Sequence, residues 1–372
     1  MDALLSDLLP LLGTLTVIAI SAVASAHAIL HKREVHASIT WASLIWLAPL
    51  IGALAYMLFG RNRIRRRAAE LRSGAQRVRA QHDVVTVRAA DVESALGTPA
   101  PQLVELARLV EEATGRPLLP GNRIDPLVDG DQAYPNMLEA IARAERSVVL
   151  ATYIFESGST GMRFVDALAA AQERGAQVRV LLDDVGVRYA QPTVDRVLRR
   201  RGLRVARFLP LWRAPYFNLR NHRKLLIIDG KLGFTGGMNI RAGHVLRDGP
   251  DSPVRDLNFR VEGQVVAHLM EVLADDWQFT THEALRGDAW FPALHACGPS
   301  LARAIPDGPD EDFDKIRWAF LGGIACARRS IRVLTPYFLP DMAIATAFNV
   351  AAMRGVQVDL VLPERGNLPV VE

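Results

Sequence analysis

Residues 221–239 read NHRKLLIIDGKLGFTGGMN, and this stretch decides how the rest of the chain is read. Two apolar runs flank Asp229-Gly230, a dipeptide that favours the tight turn of a β-hairpin. His222 and Lys224 stand two residues apart at the head of the first run, so in an extended chain both point to one side. Imidazole is a good nucleophile toward phosphorus near neutral pH, and a lysine ammonium is a compact cation for phosphoryl oxygens. Asp229, at the turn, can cap backbone donors or anchor a cationic neighbour without touching a substrate. Gly236, Gly237 and Asn239 follow the second run. Glycine lets a backbone approach an anion closely, and Asn239 can donate to a phosphoryl oxygen. The candidate catalytic residues are therefore His222, Lys224 and Asp229, with Gly236, Gly237 and Asn239 as candidate phosphate-binding residues.

Upstream of this hairpin, helical and strand patterns alternate. The sequence predicts helices over 132–146, 161–174 and 193–201. It predicts strands over 147–155 (SVVLATYIF), 177–183 (QVRVLLD) and 204–209, each short, apolar and rich in β-branched residues. Such an order implies an α/β layer with parallel strands. Downstream, the apolar spacing predicts one long helix over 261–277.

The pattern then restarts, with a helix over 313–328, a strand over 330–338, a helix over 342–354 and a strand over 356–363. ERSVVLATYIF (145–155) parallels RRSIRVLTPYF (328–338), and AAAQERGAQVRVLLD (169–183) parallels FNVAAMRGVQVDLVLP (348–363). The two units lie about 180 residues apart and suggest an internal duplication. We expect an α/β fold with a duplicated architecture, its second half incomplete.

The N-terminus reads differently. Residues 8–26 carry no charge, and a second uncharged stretch covers 37–60. Each reaches the roughly 20 residues that a helix needs to cross a bilayer. A cleaved signal peptide fits poorly, because the start, MDALLSD, is acidic and the apolar run is long. The expectation is two transmembrane helices in residues 1–60, joined by HKREVHAS (31–38). RNRIRRR (61–67) follows, with five arginines in seven residues. Positive charge concentrates on the cytoplasmic side, so residues beyond 60 are expected there. Lys32 and Arg33 in the link oppose that orientation. The remaining boundaries are a basic connector at 61–120, a first α/β domain with the hairpin at 121–290, and an incomplete second domain at 300–372.

Composition adds limits. The chain has 372 residues and a formal net charge of +4, with lysine only at Lys32, Lys224, Lys231 and Lys315. A basic balance suits nucleic acid, anionic lipid or phosphate substrates alike. Cys297 and Cys326 show neither metal nor redox spacing, and Cys326 fits a buried thiol in an apolar helix. We expect no metal and no cofactor.

NHRKLLIIDGKLGFTGGMN resembles the HKD motif of the phospholipase D superfamily, including its trailing glycines and asparagine. The apolar N-terminus ending in FGRNRIRRR resembles that of bacterial cardiolipin synthases. So do TYIFESGSTG (152–161), the VRD at 254–256, RVEGQVVAHL (260–269) leading to Asp276-Trp277, and RVLTPYFLPD (332–341). The resemblance covers almost the whole chain. It implies two fused α/β halves, each giving one HKD motif to a shared site. One histidine attacks phosphatidylglycerol and forms a phosphatidyl-histidine. The other protonates the departing glycerol and then activates a second phosphatidylglycerol, giving cardiolipin. The lysines and asparagines stabilise charge on the phosphoryl oxygens. By position His222 is the nucleophile. Asp256 is a candidate for orienting its other ring nitrogen, or is a simple turn cap. The implied partners are phosphatidylglycerol and other anionic phospholipids in a bacterial inner membrane, with a multi-pass anchor. The anchor argues against a nuclease, so no nucleic acid is expected.

The sequence departs from that pattern in one large respect. His244, His268, His282 and His295 follow His222, and none has lysine two positions later. Three readings stay open: a truncated product or a fragment of a longer gene, a site completed by a second chain or homodimer, or an inactive lipid-binding form. A hydrolytic phospholipase D is the alternative activity. Val254 stands where the group usually has Trp, and Glu156-Ser157 where an Asp is common. The half-built second domain is expected to fold poorly by itself, because its last strand leaves an unpaired edge.

Overall fold

The structure is a computed structural model that describes residues 2–32, 35–60, 92, 101–210, 220–307 and 314–364. The arginine run 61–67 and most of the expected connector lie outside the described residues. The chain divides into two units, residues 1–71 and 72–372.

In the first unit, α1 (Asp2–His31) is a single apolar helix whose segment Leu11–His31 is long enough to cross a membrane. The second apolar stretch is not one helix. It forms α2 (Val35–Leu47) and α3 (Pro49–Ala55), followed by a π-helical turn at Tyr56–Gly60. Proline at 49 removes a backbone donor and clashes with the preceding turn, and Ala48 leaves the helical region at φ −138° and ψ 76°. This corrects the expectation of two continuous membrane helices. The chain reverses at the break, because the Trp41 and Tyr56 rings come within 5.5 Å of one another. In an unbroken helix those residues stand roughly 22 Å apart.

The second unit is built on an eight-stranded mixed sheet. Its strands are β1 (Leu119–Val128), β2 (Ser147–Thr152), β3 (Gln177–Asp183), β4 (Arg204–Phe208), β5 (Leu225–Ile228), β6 (Leu232–Gly236), β7 (Leu257–Glu262) and β8 (Ser300–Ala302). Their order across the sheet is β4-β3-β2-β5-β6-β7-β1-β8. β2, β3 and β4 are parallel, as the alternating pattern implied, whereas β5, β6, β7 and β1 pair antiparallel. The helices of this unit are α4 (Pro101–Thr114), α5 (Asp129–Ala142), α6 (Ser159–Glu173), α7 (Val194–Arg200) and α8 (Val265–Thr281).

Both faces of the sheet are covered. Val148, Leu150, Val180, Leu182, Leu226 and Ile228 pack into one core with Phe164 and Val165 of α6 and Leu198 of α7. The alternate residues Val149, Ala151, Leu181, Leu225 and Ile227 pack with Val266, Met270 and Leu273 of α8. Two-sided burial is why β2 and β3 read as near-continuous apolar runs.

Three strands, β1, β7 and β8, are not legible in the local sequence pattern. Pro120 and Gly121 argue against a strand at β1, yet it pairs with β7 in register from Arg123↔Glu262 to Val128↔Leu257. The helix expected over 261–277 begins only at Val265, because Val261 lies inside β7. Downstream, α9 (Lys315–Cys326), β9 (Ser330–Leu334), α10 (Met342–Met353) and β10 (Gln357–Val361) repeat the helix–strand order. β9 and β10 form their own parallel two-stranded sheet, with β9 paired from Ser330 to Leu334.

Candidate active site

The hairpin forms as its sequence implies. Asp229 and Gly230 have φ of 52° and 64°, so both central residues are left-handed, as a type I′ turn requires. β5 runs antiparallel to β2, which brings its head to the carboxyl ends of β2 and β3. That edge of an α/β sheet is where ligands usually bind.

Side-chain alternation along 221–228 separates two jobs. Leu226 and Ile228 face one core and Leu225 and Ile227 the other, so His222 and Lys224 share one side and Asn221 and Arg223 the opposite one. His222 and Lys224 both meet Tyr153, just past β2: its ring lies 4.7 Å from the His222 ring and 5.5 Å from Lys224 Nζ. Lys224 Nζ also donates to the His222 carbonyl at 2.7 Å. On the other side, Asp276 of α8 accepts from Asn221 Nδ2 at 2.7 Å and from Arg223 Nη1 at 2.5 Å. The Asn221 backbone N–H donates to Asp183 Oδ2 at 2.9 Å, at the end of β3. The residues on either side of His222 are thus pinned to two buried carboxylates.

The electrostatics follow from this enclosure. Desolvation, then the Lys224 charge, lowers the His222 pKa to about 4, so the imidazole is neutral at physiological pH. Desolvation also lowers Lys224 to about 8, against the attraction of Asp256 and Asp183. Tyr153 is pushed up to about 12, first by desolvation and then by Tyr189 and Asp183, so its hydroxyl stays protonated. Asp183 is raised by burial, and backbone donors from Val185 and Asn221 oppose that shift.

Asp229 stands apart from this cluster, at the far end of β5. Its carboxylate accepts from the backbone N–H of Arg146 at 2.7 Å, Ser147 at 2.8 Å and Glu145 at 3.0 Å. Of the two roles open to it, capping backbone donors is the one seen; it touches neither His222 nor Lys224. Asn239 lies near the site. Its amide oxygen accepts from Ile154 N–H at 3.0 Å, which leaves the amide nitrogen as the donating end. At Gly237 a Cβ would collide with the Asp256 carboxylate, and at Gly236 with the Leu257 carbonyl. The group packed against Gly237 is thus the protein's own carboxylate, and the one packed against Gly236 a neutral backbone carbonyl. The Asp256 carboxylate accepts from Leu257 N–H at 2.7 Å and attracts Lys224. Among the described residues no hydrogen bond joins it to the His222 ring.

Tyr153, Asp183, Asn221, Arg223 and Asp276 were not singled out as site residues. Asn221 and Arg223 had an available signal, since they alternate with His222 and Lys224. Asp183 had none; Asp276 stood in a family-like segment, but only the fold brings β3 and α8 against residue 221 and so shows what either carboxylate does.

A central mixed sheet with a His-x-Lys pair at the mouth of its parallel strands defines a phospholipase D-like protein. The overall fold agrees: phosphatidylserine synthase from Haemophilus influenzae superposes with a TM-score of 0.53 at 11% identity, covering 69% of this chain and 65% of that one. Residues 137–277 match the family model described as cardiolipin synthase, PLD-like domain, and residues 14–61 match phospholipase D-nuclease N-terminal. Cardiolipin synthase 1 of Bacillus anthracis is 28% identical over 369 residues, 96% of this chain and 71% of the relative. Cardiolipin synthase A of Pseudomonas aeruginosa is 28% identical over 352 residues, 92% and 70% of the two chains. Over almost its whole length the chain is thus similar to bacterial cardiolipin synthases of the phospholipase D superfamily, and these matches support a protein of that type.

Proposed function

We propose that this protein is a membrane-bound phosphatidyltransferase that condenses two phosphatidylglycerols to cardiolipin and glycerol. The observation that carries the reading is the His222–Lys224 pair on one side of the chain, against Tyr153. Neutral His222 attacks the phosphorus of phosphatidylglycerol, the glycerol oxygen leaves with a proton, and a phosphatidyl-histidine remains. The primary hydroxyl of a second phosphatidylglycerol then displaces His222, losing its proton. Lys224 and the Asn239 amide nitrogen stabilise charge on the phosphoryl oxygens. Asp229, Gly236 and Gly237 position the hairpin, and Asp256 sets the charge around Lys224. Residues 1–372 hold one HKD motif. The histidine that protonates the glycerol therefore comes from outside them, from a second copy of the chain or from sequence joined to them. The catalytic unit faces the cytoplasm, on the side of the arginine run.

The test is product analysis on the purified protein in phosphatidylglycerol vesicles, alone and mixed with a chain carrying a second motif. Cardiolipin with equimolar glycerol is expected, together with a phosphoprotein adduct lost in His222→Ala. Cardiolipin formation unchanged in His222→Ala overturns the reading, and phosphatidic acid as sole product assigns hydrolysis instead.

A further inference from the structure

The reversal at Ala48-Pro49 has a topological meaning. The Tyr56 hydroxyl and His27 Nδ1 share a hydrogen bond of 2.7 Å, and the Tyr56 ring meets His27 edge-on at 5.8 Å. His27 lies near the end of α1, four residues before the link at 31–38. Tyr56 has therefore returned to the level at which α2 started. Intermediate positions agree. Ala24, Ala28, Ile45, Ala53 and Tyr56 form one buried cluster with Trp41 against it. Gly52 sits so close to α2 that a Cβ there would strike the Leu44 carbonyl and lie 2.8 Å from Ile45 Cα. Small residues at a helix contact are how backbones approach closely within a bilayer.

Length points the same way. The 13 residues of α2 rise about 20 Å, against the roughly 30 Å of the hydrocarbon core. α3 with its π turn is no longer. Among the described residues, Leu11–His31 alone is a helix with the length and apolar character to span. A broken helix pair at membrane depth is tolerated when its freed backbone groups are covered by protein, and α1 and Gly52 supply that cover.

We propose that residues 35–60 form a re-entrant hairpin that enters and leaves the bilayer on one side, its apolar outer face seated in the acyl chains of a single leaflet. Leu47, Leu50, Ile51 and Leu54, more than half exposed, supply that face. Only α1 crosses. An independent observation supports this. Two full spans place Lys32 and Arg33 opposite the five arginines of 61–67, in conflict with the charge bias of membrane proteins. A re-entrant hairpin places all seven cations on one side, the cytoplasmic one, and leaves the acidic start, Asp2 and Asp7, on the other. The proposal does not rest on the catalytic reading.

Single cysteines report it directly. In the full chain with Cys297→Ser and Cys326→Ser, the variants Asp2→Cys, Lys32→Cys, Ala48→Cys and Arg61→Cys are probed with a membrane-impermeant maleimide, in intact and in permeabilised cells. The expected result is labelling of position 2 in intact cells, of positions 32 and 61 only after permeabilisation, and of position 48 in neither. Oxidation of a Trp41→Cys/Tyr56→Cys double variant is expected to close an intramolecular disulfide, which an unbroken helix forbids. Labelling of position 61 together with position 2, or of positions 2, 32 and 61 from one side, overturns the proposal.

Discussion

Asp229 and Ser147 are joined in both directions: the Asp229 N–H donates to the Ser147 carbonyl at 2.8 Å, and the Asp229 carboxylate accepts the Ser147 N–H at 2.8 Å. The last residue of the HKD motif is thereby the clasp that registers β5 against the start of β2. Asp229→Ala removes the acceptor of three backbone donors and is expected to cost about 2–4 kcal/mol. Thermal unfolding in detergent should show a melting point lower by roughly 5–15 °C. Asp229→Asn keeps one acceptor oxygen and tolerates the positive φ, so it should lose less. Turnover per folded molecule, measured cold, should stay near wild type in both. A specific loss of turnover without loss of stability would place Asp229 in the chemistry.

The pH profile follows from the two shifted groups. His222 attacks as the free base, so kcat/KM falls as pH drops through about 4. Lys224 acts as a cation, so it also falls as pH rises through about 8. The expected curve is a broad plateau between these limits. Lys224→Arg, which stays charged, should flatten the alkaline limb even if the plateau drops. An alkaline limb unmoved in that variant would assign it to another group.

Tyr153 is expected to act mainly through its ring, which lies over both functional groups. Tyr153→Phe should keep kcat within about threefold, whereas Tyr153→Ala should lower it about 10- to 100-fold by loosening His222. A Phe variant as damaged as Ala would mean that the hydroxyl itself handles a proton or a phosphoryl oxygen.

Asp276 is buried and holds both neighbours of His222. Asp276→Ala leaves Arg223 short of its carboxylate and is expected to destabilise the unit by about 3–5 kcal/mol. Asp276→Asn is the sharper probe. It should fold, keep KM within about twofold, and lower kcat about tenfold, because a slack Asn221–Arg223 backbone misplaces the nucleophile. A rise in KM with kcat unchanged would point to substrate contact instead.

Local signals carried much of this architecture. β3 (Gln177–Asp183) reads directly off its apolar run, and the Asp229-Gly230 turn off its dipeptide. His222 and Lys224 were visible because alternation is a two-residue rule. What failed was non-local. β1 contains Pro120, Gly121 and Pro126, which argue against a strand, yet it is held by its pairing with β7. Val261 joined a helical pattern because one strand residue next to a helix start is invisible to periodicity. The fold-back at Pro49 was missed because hydropathy counts apolar residues and not their direction. Asp183 and Asp276 were missed because contacts between distant segments leave no mark on either segment alone.

The pairing of β1 with β7 also sets a schedule for the nascent chain. Val128 leaves the ribosome 129 residues ahead of Leu257, its partner, an interval of about 6–26 s at bacterial and eukaryotic elongation rates. During that time β2, β3 and α6 can assemble from neighbouring sequence, while β1 waits with its ladder unmet. The HKD hairpin can dock onto β2 in the same window, before β7 emerges to pair beside β6. A membrane anchor already inserted at that moment tethers an open, adhesive intermediate to the bilayer surface, where collisions between such chains are confined to two dimensions.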